Sequence, residues 1–447
     1  MCHATRACST MLAVLLLSIP SAHATDRSIS IEAKLGQTVM KSGETQHNYV
    51  RIGINGCEQE KTQRPPVNVS FVIDRSGSMQ GSRIAQAQEA AISAIKRLDR
   101  NDIASVVIFD HSVDVLMPAQ EVTEPAAYVN RIRQVTARGN TAIYAGVNEG
   151  ASQVRKFKDN MRLNRVVLLS DGLANVGPSR PDEFAQLGAA LLAEGISVST
   201  IGLGLQYNED LMAQLARASD GNHAFVSESA DLVQIFNKEF DDVLSACAQT
   251  VSIDVELNPG LRVVRSMSRD GKIEGRRAQF RMNQIYQATE HYVLLEVEVD
   301  KSVATGEQDL GRVRVAFTTP KDGQQHKIET AINGRFSTSK DEVSASRNDV
   351  VLEAVVEQTT RERAAAAVKL RDAGRADEAR ELFKQNAAEI GAFNAAAPAP
   401  SARMQQMQQE YGRFAEPSAA SSPAQWNASR KKLRELDSTS AGEKKRF

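Results

Sequence analysis

The stretch Phe71-Val72-Ile73-Asp74-Arg75-Ser76-Gly77-Ser78-Met79 restricts the fold of this chain more than any other. An apolar run (Val69, Phe71, Val72, Ile73) stops at an acidic residue, followed by hydroxyls at alternate positions and a glycine. Such a run reads as a strand buried on both faces of a parallel sheet, delivering oxygen ligands at its carboxyl end. The carboxylate of Asp74 and the hydroxyls of Ser76 and Ser78, on one tight turn, suit a hard divalent cation such as Mg2+. Two later stretches match it. Gly139-Asn140-Thr141-Ala142-Ile143 offers a hydroxyl where a helix begins, and Leu168-Leu169-Ser170-Asp171-Gly172 offers a second carboxylate at the end of another apolar strand.

Strands and helices alternate from Val67 to Cys247. The spacing predicts strands at Val69–Asp74, Ile103–Phe109, Val166–Ser170, Ile196–Gly202 and His223–Val226, with Val113–Met117 as an antiparallel edge. Between them it predicts helices at Arg83–Leu98, Glu124–Val135, Thr141–Phe157, Pro181–Glu194, Asn208–Arg217 and Asp231–Cys247. The first carries an apolar stripe of Ile84, Ala87, Ala91, Ile95 and Leu98; the last carries Leu232, Phe236, Phe240, Val243 and Cys247. Alternation of this kind implies an α/β fold, a doubly wound and mostly parallel sheet covered on both faces. Ligands of such sheets sit outside the carboxyl ends of the strands, where Asp74 and Asp171 fall.

Asp74, Ser76, Ser78, Thr141 and Asp171 together resemble the metal-ion-dependent adhesion site of a von Willebrand factor type A domain. The family pattern is Asp-x-Ser-x-Ser, then a distant Thr, then a distant Asp, and this sequence keeps all of its positions. The resemblance implies that Ser76 and Ser78 bind Mg2+ (or Mn2+ or Ca2+) directly, with Asp74, Thr141 and Asp171 binding directly or through water. It also implies that the ion completes its shell with an Asp or Glu carboxylate from a partner protein. More loosely, the whole chain looks like exported bacterial proteins of this family labelled as homologues of calcium-activated chloride channels or inter-alpha-trypsin inhibitor heavy chains.

The flanks have a different texture. Residues 28–57 and 250–335 are rich in short strands and turn signals such as Asn258-Pro259-Gly260 and Lys321-Asp322-Gly323. They predict an antiparallel β-sandwich built from both flanks, with the type A domain (67–247) inserted in it; two independent β pieces are the alternative. Residues 346–395 read as a helical hairpin broken at Gly374. Ala366-Ala367-Val368-Lys369-Leu370 and Gly374-Arg375-Ala376-Asp377-Glu378-Ala379 resemble one tetratricopeptide unit, but no second copy follows, so the hairpin reads as a packing element or spacer. Residues 396–447 open with Ala396-Ala397-Pro398-Ala399-Pro400 and read as a flexible tail, basic near its end.

Arg6, the apolar stretch Met11–Ile19 and Ala22-His23-Ala24 read as a signal peptide cut after Ala24, so residues 1–24 are set aside and the protein is expected in the periplasm or outside the cell. No later stretch is long and apolar enough to span a bilayer. In an oxidising compartment the remaining cysteines, Cys57 and Cys247, are expected to form a disulfide clasping the base of the domain. A formal net charge of −1 gives no electrostatic footprint for nucleic acid. Gly202-Leu203-Gly204 lacks a third glycine and a following Walker lysine, which argues against nucleotide binding. His111 and His223 read as isolated surface or loop residues, and Asp110 as either a neighbour of the metal face or a cap. With no His or Glu base beside the metal motif, a protein-binding module is expected rather than an enzyme. An envelope scaffold acting through the C-terminal helices, or a metal-dependent hydrolase, are the alternatives.

Overall fold

The computed structural model describes residues 28–56, 64–159, 161–204, 207–226, 231–320, 322–416, 422, 425–431 and 433. The expected signal peptide and Cys57 lie outside the described residues. The chain opens with β1 (Ile29–Leu35), β2 (Val39–Lys41) and β3 (Gln46–Gly56). An α/β unit follows. It contains β4 (Val67–Asp74), α1 (Ser82–Ile95), β5 (Ile103–Phe109), β6 (Val113–Glu121), α2 (Pro125–Ile132) and α3 (Ile143–Arg155). It continues with β7 (Leu163–Ser170), α4 (Pro181–Ala193), β8 (Ile196–Leu203), α5 (Glu209–Ala218), β9 (His223–Val226) and α6 (Leu232–Leu244).

Strand order in this unit is β6-β5-β4-β7-β8-β9, parallel throughout except for the antiparallel edge pair β5–β6. The chain winds one way from β4 and the other way from β7, so the switch point lies between these two central strands. Successive β4 side chains alternate between two cores. Val69, Phe71 and Ile73 pack with α1, α2 and α6, through Ala91, Tyr128 and Phe236 among others. Val72 faces α3, α4 and α5, through Val147, Phe184 and Leu211. Small residues let the layers close: a Cβ at Gly150 of α3 would come within 2.5 Å of Val72 Cγ2.

The remaining strands are β10 (Ala246–Leu257), β11 (Leu261–Ser266), β12 (Lys272–Glu274), β13 (Arg277–Tyr286), β14 (Glu290–Val299), β15 (Gly306–Thr318) and β16 (Gln325–Ser337). They form two facing sheets, β1-β3-β14-β11 and β12-β13-β10-β15-β16-β2, antiparallel apart from the β16–β2 pair, around an aliphatic and aromatic core. Strands from before and after the α/β unit pair directly, as in β3 with β14. The chain closes with α7 (Lys340–Ala345), α8 (Asp349–Asp372), α9 (Ala376–Ala396) and α10 (Ala402–Ala415). Val351 and Ala354 of α8 pack on Tyr292 and Leu294 of β14.

The sandwich meets the α/β unit at the amino ends of the parallel strands. Arg165, near the start of β7 and fully buried, donates to Ser199 Oγ (2.6 Å) within the unit and to Gln284 Oε1 (2.5 Å) and Tyr286 OH in the sandwich. Asn283 Nδ2 donates to Ser197 Oγ at 3.0 Å. The carboxyl ends of the strands therefore point away from the sandwich.

The structure corrects the sequence reading at three places. Cys247 does not end a helix. The helix stops at Leu244 and the chain passes directly into β10, where Ala246 pairs with Tyr286 and the Cys247 thiol donates to Ile285 O at 3.4 Å. Pairing with β13 outweighs continuation of the helical stripe. Second, residues after Ala395 are not all tail. Ser401 caps α10 by accepting from Met404 N, and Met404, Met407 and Tyr411 form one buried face, with Tyr411 stacked on Phe383 of α9. The Ala-Pro stretch before Ser401 is a short joint between packed helices. Third, His223 is neither surface nor loop: it is buried on β9, with Nδ1 2.9 Å from Thr200 Oγ1.

Candidate metal centre

Asp74 is the last residue of β4, and Asp171 immediately follows β7, so the switch point sets both carboxylates side by side, each wholly buried. Asp74 Oδ1 accepts from Ser76 N at 2.7 Å, which folds the chain back after the strand. Ser76 Oγ lies 3.0 Å from Ser78 Oγ, and Ser78 Oγ donates to Asp171 Oδ1 at 2.7 Å. Gly77 N donates to Gly139 O (3.0 Å), tying this turn to the loop before α3. Gly139 has φ +73°, and a Cβ there would meet His111 Nδ1 at 2.5 Å, so only glycine passes.

Thr141 is held from both sides. Its N–H donates to Asn175 Oδ1 (2.8 Å), and its carbonyl accepts from Asn175 N and Val176 N (3.2 and 3.3 Å). A Cβ on Gly172 would lie 2.9 Å from Thr141 Oγ1 and 3.3 Å from Asp74 Oδ2. The Thr141 hydroxyl and the Asp74 carboxylate thus converge on one small space. All five residues singled out in the sequence meet at this end of the sheet.

The two carboxylates are unlike electrostatically. Arg83, on the first turn of α1, places Nη1 2.5 Å from Asp171 Oδ2. Asp74 receives only neutral donors, Ser76 N and Ser170 Oγ (2.5 Å), and has no cationic partner among the described residues. Burial, with a smaller push from Asp171, raises its pKa to about 6. A buried carboxylate without a cation, facing three hydroxyls, fits a hard divalent ion, and every donor present is oxygen.

Asp110 organises the neighbouring wall. Its Oδ2 accepts from Arg75 Nε and Arg138 Nε, each at 2.9 Å, and its Oδ1 accepts from Ser112 N and Oγ at 2.8 and 2.9 Å. Burial opposes ionisation, but these donors and the Arg75 charge hold the carboxyl well below the usual range. It therefore neutralises arginines beside the site rather than adding a ligand. His111 is exposed on the rim, with Nδ1 3.2 Å from Asp110 Oδ1. Sequence reasoning missed Arg83, Ser170 and Asn175. Ser170 adjoins Asp171 and Arg83 follows the first motif closely, which were the available signals; nothing local marked Asn175.

The family model for the von Willebrand factor type A domain matches residues 68–238. These residues are a von Willebrand factor type A domain. The chain is similar to sll0103, an uncharacterised Synechocystis protein, at 26% identity over 294 residues covering 64% of this chain and 69% of that one. It is 26% identical over 216 residues to uncharacterised YfbK of Escherichia coli, covering 48% of this chain and 38% of YfbK. With human inter-alpha-trypsin inhibitor heavy chain H3 the match is 27% over 177 residues, 37% of this chain and 20% of that protein. Among solved structures, a von Willebrand factor type A protein from Catenulispora acidiphila superposes with a TM-score of 0.65 at 15% identity, covering 87% of this chain and 91% of that one. The ArnB paralog VWA2 from Sulfolobus acidocaldarius gives 0.61 at 14%, covering 92% and 97%. At these identities the structural likenesses speak to the fold, including the layers outside the type A domain.

Proposed function

We propose that this is an exported protein whose type A domain binds a partner protein through a divalent cation held by Asp74, Ser76, Ser78, Thr141 and Asp171. The observation that carries the reading is the buried Asp74 carboxylate, which has no cationic partner among the described residues and shares its space with the Thr141 hydroxyl. A hard cation bound there would supply a Lewis-acidic position that an Asp or Glu side chain can fill. The chain's own residues do the rest. Ser76 and Ser78 present neutral oxygens, Asp171 is part-neutralised by Arg83, and Asp74 supplies the uncompensated charge. Two carboxylates against one divalent charge and one guanidinium leave the pocket attractive to an incoming anion. Leu173, 56% exposed on the same loop as Asp171, offers an apolar contact beside it. Export is supported by the leader-like sequence, and a binding role over catalysis by the absence of a His or Glu base in the donor set.

The test is crosslinking of envelope and extracellular proteins to the purified chain with Mg2+ or with EDTA, using wild type and Thr141→Ala. A partner captured only by wild type with Mg2+ supports the reading. A partner captured equally in EDTA, or equally by Thr141→Ala, refutes it.

A further inference from the structure

At the opposite end of the parallel sheet from Asp74, the seam between the type A domain and the sandwich opens into a cavity of about 360 Å³. Its lining includes apolar side chains, Ala189 and Leu192 toward the end of α4 and Ala218 of α5. Three arginines also line it. Arg217 comes from the last turn of α5, Arg269 from the link between β11 and β12, and Arg281 from β13. One lies on the type A domain and two lie on the sandwich.

These arginines are incompletely used. Arg269 Nη1 donates to Asp220 Oδ1 (2.7 Å) and Arg281 O (3.2 Å), while its buried Nε has no hydrogen-bond partner among the described residues. The side chains of Arg217 and Arg281 make no ion pair or hydrogen bond among the described residues. Of the two carboxylates lining the space, Asp220 is committed: besides Arg269 it accepts from Asn283 N at 2.6 Å. Asp270 is exposed at the rim. Arg217 and Arg281 line one space from the two sides of the seam, and each guanidinium is a preformed fork for carboxylate or phosphate oxygens. The volume suits a small molecule rather than a protein loop.

We propose that this seam is a binding site for a small oxyanion, a compact carboxylate or phosphate ester, clasped between Arg217 of the type A domain and Arg281 of the sandwich with its apolar body on Ala189 and Leu192. It is separate from the metal centre and independent of the function proposed above. Because its two arms come from different domains, occupancy would strengthen the joint between them.

The experiment is calorimetric titration of the full chain with inorganic phosphate and, separately, with succinate, against sodium chloride at matched ionic strength. Arg217→Ala and Arg281→Ala are compared with wild type; both side chains are exposed, so the fold is expected to survive. The site predicts saturable binding of at least one anion, weakened tenfold or more by either substitution. Binding of phosphate alone assigns a phosphate ligand, and binding of succinate alone a carboxylate. Neither anion binding above the chloride control, or binding that persists in the double arginine variant, overturns the proposal.

Discussion

A buried ion pair helps fasten the C-terminal segment to the type A domain, and Lys431→Met tests what it does. Lys431 Nζ lies 2.6 Å from Glu209 Oε2, with side-chain exposures of 1% and 2%. The ammonium also donates to Tyr207 O (3.0 Å) and sits 4.0 Å from the centre of the Tyr207 ring. Methionine keeps the unbranched apolar stem and removes the charge. Removing one member of a buried pair costs about 3–5 kcal/mol, because the other is left buried and ionised. Here Arg430 Nε remains 2.5 Å from Glu209 Oε1, though out of line for a hydrogen bond, and partly compensates the carboxylate, so the cost falls at or below the bottom of that range, about 2–3 kcal/mol. That is a 30- to 150-fold loss in the docked population, at about 1.4 kcal/mol per factor of ten. Release of the segment requires less disruption than unfolding of the domain, so local detachment is the expected response. The chain's single tryptophan reports it. Trp426 Nε1 donates to Asp372 Oδ1 (2.9 Å) and its ring is covered by Arg371 at 4.2 Å. In Lys431→Met, Trp426 emission should shift to the red and acrylamide quenching should rise, and adding Glu209→Gln should recover part of the loss. Identical tryptophan signals in wild type and Lys431→Met would refute the reasoning.

Three further outcomes follow from the packing. Gly172→Ala should weaken divalent-cation affinity about tenfold or more without unfolding the chain, because its Cβ would press on Thr141 and Asp74; the effect is read by titration with Mn2+. His223 has its pKa pushed down to about 3 by burial and, secondarily, by the Lys431 charge, so the folded state refuses a proton that the unfolded chain accepts below about pH 6.5. This contribution to stability is complete above pH 6.5 and is lost as pH falls toward 3, by about 5 kcal/mol at most; urea unfolding at pH 7 and pH 4.5 should show a smaller pH loss in His223→Asn than in wild type. The third concerns the disulfide expected from the sequence between Cys57, which lies outside the described residues, and Cys247; a Cβ at the preceding Gly56 would lie 3.0 Å from Cys247 Sγ. Non-reducing peptide mapping of protein from an oxidising compartment should recover the two cysteines linked, whereas two titratable thiols would exclude the bond.

The α/β core and the convergence of Asp74, Ser76, Ser78, Thr141 and Asp171 were legible because they rest on local patterns. Apolar runs ending in Asp mark buried strands with ligands at their tips, and strand–helix alternation leaves few topologies. What was not legible depends on partners distant in sequence. Nothing local shows that Arg83 reaches Asp171, or that Asn175 holds Thr141. His223 reads as an isolated surface or loop residue, and Thr200 and Tyr207, brought in from β8 and the segment before α5, make its burial tolerable. Cys247 and β10 show the same limit, since the helix gives way to a strand only because β13 waits to pair with it. Lys431, at the start of the basic C-terminal stretch, looked solvated, and its burial depends on a carboxylate more than two hundred residues earlier in the chain, Glu209.

The most direct test of the account is calorimetric titration of the protein with Mg2+, Mn2+ and Ca2+, comparing wild type with Asp74→Asn. The buried, uncompensated Asp74 carboxylate predicts saturable one-to-one binding of at least one of these ions, abolished in the variant while circular dichroism is unchanged. No binding by the wild-type chain, or equal binding by Asp74→Asn, would contradict the assignment of this pocket as a metal-dependent site.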